Sequence, residues 1–212
     1  MSATPATVLE LETPHGPARA HLHAAPGDAQ EAALVLGHGA AGGVGAPDLL
    51  AATDAAHGAG LSVALVEQPY RVAGRRSAAP AQQLDVAWAA VLGQLWRGPL
   101  AGVPLVAGGR SAGARVACRT ARQCGAIGVL CLAFPLVPPR RANAATPPAS
   151  RLPELEAVDV PVLVVQGEND RFGMPPEGPT RTVVAVRGDH SLRSDPAAVA
   201  VAVGAWLRRL VH

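Results

Sequence analysis

Apolar and polar positions follow two different periods along this 212-residue chain. Short apolar runs alternate with longer, Ala- and Leu-rich stretches of helical period. Val8–Leu11 and Ala18–His23 alternate every second residue, which predicts half-exposed strands near a sheet edge. Ala32–Leu36, Leu61–Val66, Val103–Ala107, Ile127–Phe134, Pro161–Val165 and Thr182–Val186 read as further strands. Those that are apolar on both faces, such as Ile127–Phe134, fit strands covered on both sides. Between them, Pro47 opens a helical segment that Gly58 and Gly60 close. Ala81–Trp96 sets Leu84, Trp88, Leu92 and Leu95 on one helical face and stops at Gly98-Pro99. From Ala114 the period is helical again, with Ala114, Ala117, Cys118 and Ala121 on one face and Arg115, Arg119 and Arg122 facing elsewhere. Asp195-Pro196 is a cap and first-turn proline for a final helix running to about Leu210.

Strands that alternate with helices predict parallel βαβ units. The expected fold is therefore α/β: a three-layer αβα sandwich around a doubly wound, mostly parallel sheet. No repeat or linker divides residues 1–212, so a single domain is expected. The one irregular stretch, Pro135–Leu152, is rich in Pro and Arg and reads as a loop or rudimentary lid.

Composition narrows the chemistry. With 49 % hydrophobic and 16 % charged residues the chain is not disordered, and its net charge of +2 offers no field for a nucleic acid or a membrane surface. All 18 basic residues are arginine, a bias that GC-rich coding produces along with the Ala, Gly and Pro excess. The absence of lysine still removes Schiff-base chemistry, a phosphate-loop lysine and a lysine general base. Cys118, Cys124 and Cys131 have no zinc or redox spacing and read as reduced, buried small hydrophobes. The N-terminus lacks the basic-then-apolar order of a signal peptide, and the longest apolar run, Gly125–Val137, is too short to span a bilayer. A soluble, cytoplasmic protein is expected.

The informative motif is Gly109-Arg110-Ser111-Ala112-Gly113, a Gly-x-Ser-x-Gly set between an apolar strand and a helix. In such a turn the serine is presented at the carboxyl edge of the sheet, with helix N-terminal amides pointing at it. A serine that merely caps the helix is the plainer reading. A hydroxyl needs a base to become a nucleophile, and seven histidines compete for that role. His190 follows the last strand directly, so its loop returns to the same sheet edge. His212 and His15 are expected to be solvated, and His57 to sit at a helix end. His21 and His23 share a strand face but have no third metal-ligand motif beside them. Asp170, in the turn after Pro161–Val165, is the acid expected to orient the base, with Glu168 in reserve; Asp189 adjoins the histidine and Asp159 lies at the wrong edge. The Ala112 amide and an amide of the loop after Ala32–Leu36, preferably that of Ala40, are the expected oxyanion donors. His38 is expected to brace that loop.

Gly37-His38-Gly39-Ala40, Gln68-Pro69-Tyr70-Arg71, the serine motif, Gln166-Gly167-Glu168-Asn169-Asp170 and Gly188-Asp189-His190-Ser191 together resemble the α/β-hydrolase superfamily. The likeness is to its small lidless branch of dienelactone-hydrolase-like proteins, and within it to a group holding a testis-expressed protein and a subunit of a histone-acetylating complex. The resemblance implies an eight-stranded sheet, a serine triad ordered Ser111, Asp170, His190, and no cofactor. Dienelactone hydrolases proper use cysteine where this chain has serine, so their substrate does not carry over. The implied activity is hydrolysis of small acyl esters or thioesters, with no nucleic-acid or membrane partner. The alternative is a non-catalytic interaction module that keeps the scaffold. Arg71, Arg140 and Arg151, with Arg75, Arg76 and Arg141, are candidates for an anionic substrate; solvated surface charge is the plainer reading.

Overall fold

In the computed structural model, which describes residues 6–25, 31–40, 42–138, 146 and 148–212, the apolar runs become strands of one eight-stranded sheet. The strands are β1 (Thr7–Leu11), β2 (Ala18–His23), β3 (Ala33–Gly37), β4 (Ser62–Glu67), β5 (Leu105–Arg110), β6 (Gly128–Leu132), β7 (Val162–Gly167) and β8 (Arg181–Val186). They lie in the order β1-β2-β4-β3-β5-β6-β7-β8. The pairs β1–β2 and β2–β4 are antiparallel, and all later pairs are parallel. Helices α1 (Pro47–His57), α2 (Pro69–Val72), α3 (Ala81–Arg97), α4 (Ala112–Thr120), α5 (Leu152–Glu156) and α6 (Pro196–Val211) connect or follow them.

The inner strands are apolar on both faces through their central positions because helices cover both faces. Val35, Ala107, Val129 and Val164 point into a core shared with Trp88, Leu92 and Leu95 of α3 and Ala114 and Ala117 of α4. Their chain neighbours Leu34, Val106, Leu130 and Val165 point the other way, against Leu49 and Ala52 of α1 and Val199, Val203 and Trp206 of α6. Each fully buried Val or Leu side chain contributes about 1.5–3 kcal/mol, so both layers are needed. β1 is half exposed, as its alternation predicts. Among the described residues no helix is long and apolar enough to cross a membrane.

Several boundaries differ from the sequence pattern. β5 begins later and runs through Gly108 and Gly109 to Arg110, where the pattern ends a strand at Ala107. Glycine there is a packing requirement, since a Cβ on Gly108 would lie 2.7 Å from the Leu130 carbonyl oxygen of β6. α4 starts at Ala112, two residues before its apolar period becomes visible. The single-turn helices α2 and α5 are too short to show a period at all. Cys118 and Cys131 are buried with their sulfurs 3.4 Å apart, whereas Cys124 is only partly buried. Of the expected loop Pro135–Leu152, residues 139–145 and 147 lie outside the described residues.

The chain moves from β3 outward to β4, then crosses back to β5 and continues to β8. The loops leaving β3 and β5 therefore diverge to opposite sides, opening a crevice at the carboxyl ends of adjacent strands. Ser111 stands at that crevice.

Candidate active site

Ser111 follows β5 without a spacer and adopts φ 53° and ψ −106°. A left-handed backbone at a non-glycine residue costs about 1–3 kcal/mol and persists only where its surroundings hold it. Here the Ser111 amide donates to the Leu132 carbonyl at 2.9 Å, tying the turn to β6. The glycines on either side are forced by the approach of β3: a Cβ at Gly109 would meet the Gly37 carbonyl oxygen at 2.5 Å, and one at Gly113 would collide with the same atom.

The loop after β8 carries His190 back across the sheet edge. Its Nε2 lies 2.9 Å from Ser111 Oγ, and its Nδ1 lies 2.7 Å from Asp170 Oδ2. A carboxylate only accepts, so the ring proton belongs on Nδ1, which leaves Nε2 free to receive the serine proton. Asp170 is held in turn. Its Oδ2 also accepts from Gln166 Nε2 at 2.7 Å, and its Oδ1 accepts from the Phe172 amide at 2.9 Å. The Phe172 ring packs on the imidazole with centroids 4.4 Å apart. The competing acids are placed otherwise: Asp189 accepts from the amide and hydroxyl of Ser191, and Glu168 is exposed in the turn after β7.

His38 is buried, which lowers its proton affinity and keeps the ring neutral. Its Nδ1 donates to the Gly39 carbonyl at 2.8 Å, and its Nε2 accepts the Gln68 amide at 3.1 Å. Gly39 C=O and Ala40 N–H belong to one trans peptide plane, so holding the oxygen fixes the direction of the amide. Tyr70 Oη donates to the Ala40 carbonyl at 3.1 Å. Among the described residues the amides of Ala40 and Ala112 have no hydrogen-bond partner, and both residues line one cavity with Ser111.

Arg110 gathers the surrounding loops. Its Nη2 donates to the His190 carbonyl at 2.9 Å, and its Nε lies 2.9 Å from Oδ2 of the fully buried Asp48 in α1. Burial pushes the Asp48 carboxyl upward, with the Arg110 charge pulling against it. The guanidinium also packs over Gly39, where a Cβ would come within 2.7 Å of Nη1.

The cavity beside Ser111 measures about 230 Å³ and is lined by small and apolar residues together with Arg115, Arg119 and Arg151. Of the arginines that the sequence singles out, Arg151 is at this cavity. Arg71 is not: the single turn of α2 carries it away, and it donates to the Arg75 carbonyl at 3.4 Å. Arg140 and Arg141 lie outside the described residues. Arg115 and Arg119 face away from the buried side of α4, as their period predicts, and reach this cavity, for which their i+4 and i+8 spacing from Ser111 is the available signal. Arg110 and the Phe172 ring carry no sequence signal of their roles, because both act on His190, which is distant along the chain, and Gln166, four residues before Asp170, is not marked as its partner by residue type alone.

The remaining histidines are spread out. His21 Nε2 lies 3.1 Å from Glu67, His212 Nε2 lies 3.2 Å from Glu31, and His15 is exposed. His57 ends α1, with its ring 6.2 Å from that of His23. Among the described residues no group of three or more His, Cys, Asp or Glu side chains is gathered as a metal ion requires.

A family model described as an alpha/beta hydrolase domain matches residues 30–197. No curated protein matches the chain. Solved structures share the fold. One is XC6422 from Xanthomonas campestris, an α/β serine hydrolase without a lid, at TM-score 0.77 and 19 % identity over 99 % of this chain and 96 % of that one. Est1E from Butyrivibrio proteoclasticus superposes at 0.77 with 12 % identity over 99 % of both chains. A dienelactone hydrolase from Anabaena variabilis superposes at 0.72 with 15 % identity, covering 96 % of this chain and 97 % of that one.

Proposed function

Because the chain belongs to the alpha/beta hydrolase family, we propose that it is a serine hydrolase acting on carboxylic esters or thioesters of small acyl groups. The observation that carries this reading is the continuous hydrogen-bonded line from Ser111 Oγ through His190 to Asp170, at 2.9 and 2.7 Å. Both contacts lie within the reach required of a nucleophile, a base and its orienting acid.

In the first half-reaction Ser111 Oγ attacks the carbonyl carbon while its proton passes to His190 Nε2. Asp170 stabilises the resulting imidazolium and does not itself take up the proton. The carbonyl oxygen, now an oxyanion, faces the Ala112 and Ala40 amides, each worth about 3–4 kcal/mol in such a role. Collapse breaks the bond to the leaving oxygen or sulfur, which takes the proton from His190, and leaves an acyl-serine. Water then repeats the sequence: it loses a proton to His190, attacks the acyl carbon, and frees the acid as Ser111 regains its proton. The likeness to the group of the testis-expressed protein and the acetylating-complex subunit rests on the segments around His38, Tyr70, Ser111, Asp170 and His190, and on this reading the present chain keeps a complete triad.

Hydrolysis of p-nitrophenyl acetate and butyrate tests the proposal. The wild type should turn over both, and Ser111→Ala and His190→Ala should each lose at least about 10³-fold in kcat/KM. A rate unchanged in Ser111→Ala or in His190→Ala would overturn it.

A further inference from the structure

One wall of the cavity beside Ser111 carries an unbalanced charge. α4 stacks Ser111, Arg115 and Arg119 on one face, each step rising by about 6 Å. Arg115 meets Glu154 of α5 through Nε and Nη2, at 2.9 and 2.5 Å. Arg119 grips Asp85 of α3 in the same forked way, at 2.8 and 2.6 Å, and reaches Glu154 at 3.3 Å. Two carboxylates thus serve two guanidiniums. Arg151 is the third cation of the wall, and among the described residues no carboxylate lies within ion-pair distance of it. It is positioned, not loose: its backbone amide donates to the Leu136 carbonyl at 2.8 Å and its Nη1 to the Pro135 carbonyl at 3.0 Å. Burial and the neighbouring Arg115 and Arg119 charges lower its proton affinity, with the Glu154 charge pulling the other way, yet a guanidinium stays charged throughout the physiological range. A partly desolvated, crowded cation of this kind gains from an anion that completes its coordination.

The size of the cavity limits what that anion is attached to. At about 230 Å³ it falls below the roughly 300–1,000 Å³ of sites for larger ligands. Ala40, Ala78, Ala79 and Ala112 line it without long side chains. It suits a short chain with a charged end.

We propose that Arg151 forms an anion subsite and that the preferred substrate is an ester or thioester whose short acyl group ends in a carboxylate, bound there while its carbonyl lies at Ser111. This substrate class rests on the hydrolase reading above. Arg115 and Arg119 are balanced by Glu154 and Asp85, so the net charge of the wall is that of Arg151. The wall therefore selects charge at the far end of the acyl chain.

Three esters and one binding measurement test this. The wild type is assayed at low salt with mono-p-nitrophenyl glutarate, with its neutral counterpart p-nitrophenyl valerate, and with 4-carboxyphenyl valerate, which carries the charge on the leaving group. The expected glutarate preference over valerate is at least tenfold in kcat/KM. That ratio should fall toward unity in Arg151→Gln and recover in part in Arg151→Lys. Independently of turnover, Ser111→Ala should bind monomethyl glutarate in calorimetry, and the added Arg151→Gln should abolish the heat. A wild-type ratio of one or less, or a ratio unaltered in Arg151→Gln, would overturn the subsite. A preference for 4-carboxyphenyl valerate would overturn its assignment to the acyl half. If no ester is cleaved but monomethyl glutarate binds through Arg151, the anion subsite stands and the hydrolase reading falls; if it neither binds nor turns over, both fall.

Discussion

Arg110 sits one residue before the proposed nucleophile, yet its side chain turns away from the serine. One guanidinium meets the His190 carbonyl, the buried Asp48 carboxylate and the bare Gly39 backbone, so the His190 loop and the loop that carries the Ala40 amide are referred to the same group. Only a planar fork serves several directions at once; an ammonium is a compact point charge. Arg110→Lys keeps a cation beside Asp48 but gives up the contact to His190. Steady-state kinetics should show kcat reduced about 10- to 100-fold, the scale of a misplacement of about 1 Å, with the melting temperature near that of the wild type. An unchanged kcat would show that the base is held without it. At this scale the sequence is readable where a residue type at a strand end is itself the signal. Ser111, Asp170 and His190 stand out in this way because parallel strands deliver all their carboxyl ends to one edge. Arg110 does not, since its partner His190 lies 80 residues away along the chain, and Gln166 does not, since an amide four residues before Asp170 is not by its type marked as the partner of that carboxylate.

Elements were legible in proportion to how many periods they contain. α3 and α6, with 17 and 16 residues, show their buried faces plainly, and α6 announces its start as well. Asp195 Oδ1 accepts the Ala198 amide at 3.0 Å ahead of Pro196, satisfying a donor that the first turn leaves open. Asp195→Ala should lower stability by about 1 kcal/mol in urea denaturation without altering the slope. A loss below a few tenths would mean that water replaces the cap. α2 and α5 each span about one turn, and no period exists in so short a segment. The boundaries of β5 differ from the sequence pattern for another reason. Glycine signals a break in an isolated strand, but Gly108 and Gly109 are where neighbouring backbones approach too closely for a side chain. α5 matters beyond its length, because it supplies Glu154 to Arg115 and follows directly on Arg151.

For the whole molecule, strand order decides where chemistry is possible. The outward step from β3 to β4 and the return to β5 open the crevice, and the same crossing brings the His38 loop beside Ser111. The two-sided apolar strands made this sandwich predictable, because only helices on both faces bury such a sheet. Pairing order and register were not predictable, since they follow from contacts between strands that are individually alike. The account depends on Ser111 being activated by its neighbours, and an irreversible active-site probe reads that state directly. Folded wild-type protein treated with a fluorophosphonate should gain the mass of one phosphonyl group, mapped by peptide sequencing to Ser111, with the reaction strongly slowed in His190→Ala and absent in Ser111→Ala. No labelling of the folded wild type, or labelling at the same rate without His190, would contradict it.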